Sequence, residues 1–250
     1  MDMYKVLEWT ENRLKDFKYS KKFNIWKSRA IALCDTQERF IRIDKDKCNW
    51  IEWQNFKWLP SDQLTSLMDW TDDRWFGSIK ETDIVLDLGA GIGSWCIPVS
   101  RMCKKVYAVE PLYWEELIMN IGLNKINNIE VIPIAIGSSK EVKWVRFGNK
   151  KMIMSWISLK ELIDKIEKPD IIKVDIEGAE WELQPKDLIG IRDIRIEFHL
   201  RRFKRDRLKI HKWIKLFIEN GYNFKLIDMR EHETTSLTIG SVEYMRFWKE

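Results

Sequence analysis

From residue 83 to the C-terminus, short apolar runs alternate with longer stretches of helical periodicity, which is the pattern of repeated βα units around a mostly parallel sheet. The apolar runs predict seven strands, near Asp83–Leu88, Lys105–Val109, Ile129–Ala135, Ile171–Val174, Ile191–Phe198, Tyr222–Asp228 and Val242–Trp248. Helices are predicted over Gly93–Cys103, Leu112–Asn124, Ser158–Glu167 and Arg205–Asn220, with a turn or two after Glu177. Pro111 suits a first helical turn, and Asn220-Gly221 is a helix stop. Glu141–Phe147 alternates by twos, which predicts an extra edge strand or hairpin without assigning its partner. Before residue 83 the signals weaken: Leu64–Trp70 reads as helix, Arg39–Ile43 as strand, and Trp50–Trp58 fits neither period. Residues 1–80 are therefore read as a cap on a domain spanning 81–250, with the junction at Gly77-Ser78.

Composition narrows the class without naming a function. The 250 residues are 45% hydrophobic and 33% charged, an ordinary globular balance that excludes disordered and collagen-like chains. No apolar run approaches the roughly 20 residues a bilayer span needs, and the N-terminus lacks an apolar signal core, so a cytoplasmic protein is expected. Cys34, Cys48, Cys96 and Cys103 form no C-x-x-C pair and have no His at ligand spacing, which points to neither a zinc site nor a disulfide scaffold. Of 14 tryptophans, seven fall in the first 80 residues, and the expectation is that most of them cement cap to domain.

The strongest chemical signal is DIVLDLGAGIGSW, an apolar strand running into Asp87, Gly89, Ala90, Gly91 and Gly93 and then a helix. Glycines at such a turn let the backbone bend sharply and let a ligand approach where a Cβ would collide. A second strand ends in Glu110, 21 residues beyond Gly89, at the separation where an acidic side chain accepts hydrogen bonds from a ribose. The dinucleotide fingerprint fits imperfectly, because its sixth position is Ser94 and the third glycine comes one place early. Asp87 would repel a pyrophosphate, whereas S-adenosylmethionine carries an ammonium group and no phosphate.

Three segments, DLGAGIGSW (87–95), VYAVEPLYWEELIMNIGLNKINNIEVIPIAIG (106–137) and DIIKVDIEGAEWEL (170–183), followed by RIEFHL (195–200), resemble class I S-adenosylmethionine-dependent methyltransferases of the FkbM type. The resemblance covers roughly residues 80–230. It implies a Rossmann-like α/β fold: a seven-stranded, mostly parallel sheet in order 3-2-1-4-5-7-6, with the last strand antiparallel and helices on both faces. It also implies O-methylation of a sugar-containing or other small or conjugated acceptor. By position, Asp87, Gly89, Ala90, Gly91 and Gly93 would line the methionine part, Glu110 followed by Pro111 the ribose, and Ala135 the adenine.

Asp175 ends the IIKV strand, and ligands in open α/β sheets sit outside the carboxyl ends of the strands, so it is expected beside the sulfonium and the acceptor. Glu177 and Glu180 follow in a helical turn, where the helix dipole alone would favour acids. Along the next strand Arg195, Glu197 and His199 share one face. His199 is the expected general base, since an imidazole titrates near neutral pH, with Glu197 orienting it or binding the acceptor. Asp175, Glu177 and Glu197 supply oxygen ligands suited to Mg²⁺, although a metal-free site is the favoured reading.

Residues 201–215 carry eight basic side chains against one Asp, net +7 of a formal +4 for the whole chain. Two readings of this stretch stand: a solvated helix face with Leu208, Trp213, Leu216 and Phe217 inward, or a grip on a phosphate-bearing acceptor or RNA through Arg201, Arg202, Lys204 and Arg205. RNA methylation is thus the rival enzymatic reading, and a non-catalytic cofactor-binding interaction module is the rival of another class.

Overall fold

The computed structural model describes residues 51–53, 56–59, 78–138, 141–147, 150–200, 203–227 and 241–249. Leu64–Trp70, Arg39–Ile43, Gly77 and all of the first 50 residues, including Cys34 and Cys48, lie outside the described residues. So do Arg201 and Arg202 and the side chains of Lys204 and Arg205.

A short antiparallel pair, β1 (Ile51–Trp53) and β2 (Phe56–Trp58), precedes the domain. The main sheet contains β3 (Ile84–Leu88), β4 (Lys105–Val109), β5 (Ile129–Ile132), β9 (Ile171–Val174), β10 (Asp193–Leu200), β11 (Asn223–Ile227) and β12 (Ser241–Trp248). Its order is β5-β4-β3-β9-β10-β12-β11, with β12 antiparallel to both neighbours and the other pairs parallel. Counted within the sheet, this is the 3-2-1-4-5-7-6 order expected of a class I methyltransferase.

Alternation along the central strands divides the core in two. Val85, Val106, Ala108 and Ile171 pack on one face with α1 (Cys96–Val99) and α2 (Trp114–Leu123). Leu86, Val109, Ile172, Val174, Ile194 and Phe198 pack on the other with α3 (Leu159–Ile163) and α4 (Phe203–Glu219). Because successive side chains point to opposite faces, the first face also receives Asp87, Lys173, Arg195 and Glu197, all of them buried.

Several elements are shorter than their sequence pattern predicts. The helix expected over Gly93–Cys103 contracts to Cys96–Val99, because Gly93 has φ +99° and the chain beyond Val99 closes in i→i+3 turns. The strand expected over Ile129–Ala135 breaks at Pro133, which has no N–H for the ladder, and resumes as β6 (Ala135–Ile136) in a different sheet. There β6 pairs with β8 (Lys150–Ile157), whose antiparallel partner is β7 (Glu141–Phe147), so EVKWVRF forms the hairpin its alternation predicts. In α4 the buried stripe is Ile210, Trp213 and Phe217. Leu208, expected inward, is 64% exposed, since two residues before Ile210 the helix has turned about 200° from the stripe.

Residues of the front third enter the core through main-chain contacts. Asn120, fully buried on α2, accepts from Leu59 N–H at 2.7 Å and donates to Ile92 C=O at 2.9 Å. One turn later Asn124 accepts from Lys57 N–H at 2.8 Å and donates to Lys57 C=O at 2.7 Å. Trp58, fully buried, and Phe56 fill the space beneath, with Arg101 over the Phe56 ring at 4.0 Å. Trp58 is thus one of the seven early tryptophans packed as expected.

Asn120→Ala would strand the Leu59 N–H and the Ile92 C=O in the core. A loss of about 1–3 kcal/mol in unfolding free energy is expected from denaturant titration.

Candidate active site

The glycine turn follows β3 at the carboxyl edge of the sheet. Gly89, Gly91 and Gly93 all have positive φ, but for different reasons. A Cβ on Gly89 would lie 1.6 Å from the Asp175 carbonyl oxygen, so glycine here lets the ends of β3 and β9 close on each other. A Cβ on Gly91 would meet nothing within 4 Å, so this residue faces open space.

Glu110 braces the turn. Its Oε2 accepts from Gly91 N–H at 2.8 Å, and its Oε1 accepts from Leu112 and Tyr113 N–H at 2.7 and 2.9 Å. A carboxylate has about four acceptor positions, so Oε2 retains one beside the open Gly91 side. Burial raises the Glu110 pKa above the ordinary range, and the three N–H donors oppose that rise. Pro111 follows it directly, and Ala135, buried beyond the end of β5, opens β6 opposite Trp156.

Beneath the turn lies a pair that the sequence reading missed. Asp87 and Lys173 are register partners on β3 and β9, both almost wholly buried, with Lys173 Nζ 3.3 Å from Asp87 Oδ1 and 3.4 Å from Asp175 Oδ2. Neither Asp87 oxygen makes a well-formed hydrogen bond, so the ion pair carries most of its compensation. Burial raises the Asp87 pKa while Lys173 opposes it; for Lys173 the burial penalty is overcome by Asp87 and Asp175, which keep it charged. The signal was legible, since Lys173 is a lysine inside a strand whose other three residues are apolar.

Past β9, Glu177 (φ +55°) and Gly178 (φ +96°) turn the chain into a 3₁₀ turn at Ala179–Glu182. Glu180, fully buried, ties that turn together by accepting from Ile176 and Gly178 N–H at 3.0 and 3.1 Å. Its Oε1 also lies 3.2 Å from His199 Nδ1. On the other ring nitrogen, His199 Nε2 is 3.2 Å from Glu177 Oε2 and 3.5 Å from Glu197 Oε1. Glu197, Asp175 and His199 are therefore brought together as expected, and Glu177 and Glu180 with them.

The electrostatics reassign the proton. Burial lowers the His199 pKa, but the Glu177 and Glu180 hydrogen bonds outweigh it and push the imidazole up to about 11. At neutral pH His199 is a cation, so the general-base role expected for it does not follow from this geometry. The group with heightened proton affinity is Glu197, which burial and the neighbouring Asp175 drive well above the carboxylate range against the pull of His199 and Lys173. Asp175, Glu177 and His199 each present a ligand atom within 4.8 Å of one another. Among the described residues Cys96 and Cys103 are buried thiols whose pKa burial raises, Cys103 to about 12, in keeping with inert packing roles.

Among the described residues, six carboxyl groups (Asp87, Glu110, Asp175, Glu177, Glu180, Glu197) thus gather with two cations (Lys173, His199) around the turn. Such an excess of negative charge disfavours pyrophosphate and favours a sulfonium with an ammonium group. Together with the open Gly91 side and the spare acceptor on Glu110, it fits S-adenosylmethionine.

Residues 72–174 match the TRM5/TYW2 methyltransferase domain. A tRNA(Phe) (4-demethylwyosine(37)-C(7)) aminocarboxypropyltransferase of Methanocaldococcus jannaschii is 47% identical over 59 residues, 22% of this chain and 23% of that protein. An uncharacterized RNA methyltransferase of Oceanobacillus iheyensis is 34% identical over 77 residues, 29% of this chain and 16% of that protein. The chain thus spans less than a quarter of the length of these curated relatives. Trm5b of Pyrococcus abyssi superposes with a TM-score of 0.51 at 17% identity, covering 83% of this chain and 62% of that one, a likeness of fold. These matches overturn the FkbM resemblance: residues 72–174, which hold two of the segments that carried it and the start of a third, match the TRM5/TYW2 domain instead. The fold is thus that of the class I methyltransferases, and the match to a methyltransferase domain falls on residues 72–174.

Three measurements test the charge arrangement. Lys173→Met leaves Asp87 buried without its cation and should lower the unfolding free energy by about 3–5 kcal/mol. Because the folded pKa of His199 is raised, its stabilisation is complete below the ordinary value of 6.5, declines as pH rises, and is gone above about 11. Stability should therefore fall between these limits less steeply in His199→Gln than in the parent. An NMR titration of the ring should show the imidazolium persisting through pH 9; titration near neutrality would refute the assignment.

Proposed function

We propose that this chain is a methyltransferase acting on RNA, with tRNA as the substrate class. The observation that carries the reading is the open, acid-rimmed Gly91 cradle lying within the stretch that matches the TRM5/TYW2 domain. The tRNA- and RNA-modifying relatives support an RNA acceptor over the sugar-containing one that the FkbM resemblance implied.

S-adenosylmethionine, when bound, supplies an electrophilic methyl group on a sulfonium. The backbone of Gly89–Gly93 and the carboxylates of Glu110 and Asp175 are the groups that would hold it, Glu110 through its spare acceptor toward a ribose hydroxyl. An acceptor that gains a methyl must lose a proton, and Glu197 is the residue suited to take it, because its raised pKa gives its carboxylate unusual basicity. His199, held as imidazolium, keeps Glu177, Glu180 and Glu197 gathered at one point. Lys173 is a positioning residue, fixing Asp87 and Asp175 under the turn.

The decisive experiment incubates the protein with methyl-labelled S-adenosylmethionine and separated tRNA, ribosomal RNA, glycan and small-molecule fractions of the source cell. Label should enter RNA, be released by ribonuclease, and add the mass of a methyl group rather than of an aminocarboxypropyl group. Label confined to glycans or small molecules would overturn the proposal. Glu197→Gln should lower turnover about 10²–10⁴-fold with cofactor affinity retained, and the parent's acid limb should lie above the ordinary carboxylate range; unchanged turnover would remove Glu197 as base.

A further inference from the structure

The acidic rim that suits a sulfonium repels a polyanion, so an RNA substrate needs a positive surface elsewhere on the molecule. The β7–β8 hairpin has the composition of one. It is rooted beside the site: Gly137 N–H donates to Ile157 C=O at 3.0 Å, and Ser138 N–H donates to Glu182 Oε2 at 3.2 Å, at the end of the turn that carries Glu180. From that root the eight residues of β8 run roughly 25 Å at the usual rise per strand residue.

One face of this arm is apolar and open. Val142 is 69%, Trp144 56% and Ile153 57% exposed, and Trp144 stands directly across from Ile153 in the ladder. Alternation puts Arg146 and its register partner Lys151 at the next position on the same face, toward the tip. Across the two strands Lys143, Arg146, Lys150 and Lys151 oppose only Glu141. An exposed indole flanked by Arg and Lys is what single-stranded nucleic acid binds, since every base has a face to stack and every linkage a phosphate to pair. Fully paired strands keep their bases stacked on one another and have little use for an exposed indole.

We infer that the β7–β8 hairpin is an RNA-binding arm: Trp144, backed by Ile153, stacks an unpaired base, while Arg146 and Lys151 contact the adjoining phosphates. The inference rests on the RNA reading above and deepens it by naming the surface and the kind of RNA, single-stranded or looped, that the arm takes.

The test measures anisotropy of a fluorescein-labelled single-stranded oligouridine and of a blunt RNA duplex with the full chain. The parent should prefer the single strand. Trp144→Ala should weaken single-strand binding about tenfold, and Trp144→Phe, which keeps a stacking ring, should recover most of it. Arg146→Glu with Lys151→Glu should flatten the dependence of affinity on salt. All three variants should keep the parent's calorimetric affinity for S-adenosylmethionine, which shows that they are folded. Should the parent bind and methylate RNA while the variants match it, the arm is refuted and the RNA function stands. If the parent labels no RNA and binds none, both fall together. A concentration-dependent dimer abolished by Trp144→Ala would instead assign the face to a second copy of the chain and overturn the inference.

Discussion

A buried lysine is the constraint around which this molecule is organised. Lys173 sits in the middle of the parallel sheet, and burying it is tolerable only because Asp87 and Asp175 lie on either side of its ammonium group. That requirement fixes the register of β3 on β9 and the approach of the glycine turn, whose Gly89 carbonyl lies 3.4 Å from Lys173 Nζ. The same charge holds Asp175 at the sheet edge, where Glu197 and His199 converge. Structural compensation inside the sheet and chemistry at its rim are consequently one network.

The network explains how neighbouring acids take different roles. Glu110 and Glu180 are pinned by backbone N–H groups and act as braces. Glu177, half exposed, shares with Glu180 the task of keeping His199 charged. Glu197 has less compensation than burial demands, so its affinity for a proton rises. Position relative to two cations, rather than residue type, separates the braces from the acid whose proton affinity is raised.

Much of this was legible in the sequence. Seven apolar runs gave the strands of the main sheet, the spacing of Gly89 and Glu110 located the turn and its brace, and the two-residue alternation of Arg195, Glu197 and His199 placed them on one face. What failed was information that exists only between segments. His199 reads as a neutral imidazole in isolation and is held as a cation where Glu177 and Glu180 fold onto its two nitrogens. Lys173 was absorbed into an apolar run because its partner is distant in the chain. The family resemblance misled for a related reason: the segments that carried it lie along the strands and turns of the shared fold, and a shared fold does not specify the acceptor.

The two asparagines of α2 have a consequence for the front third of the chain. Asn120 and Asn124 grip residues 57 and 59 by amide and carbonyl alone, so the grip is indifferent to which side chains those residues carry. A segment attached in this way is held twice over: its main chain is fixed on the helix whatever side chain position 57 carries, and the buried Phe56, Trp58 and Leu59 tie its composition to the domain beneath.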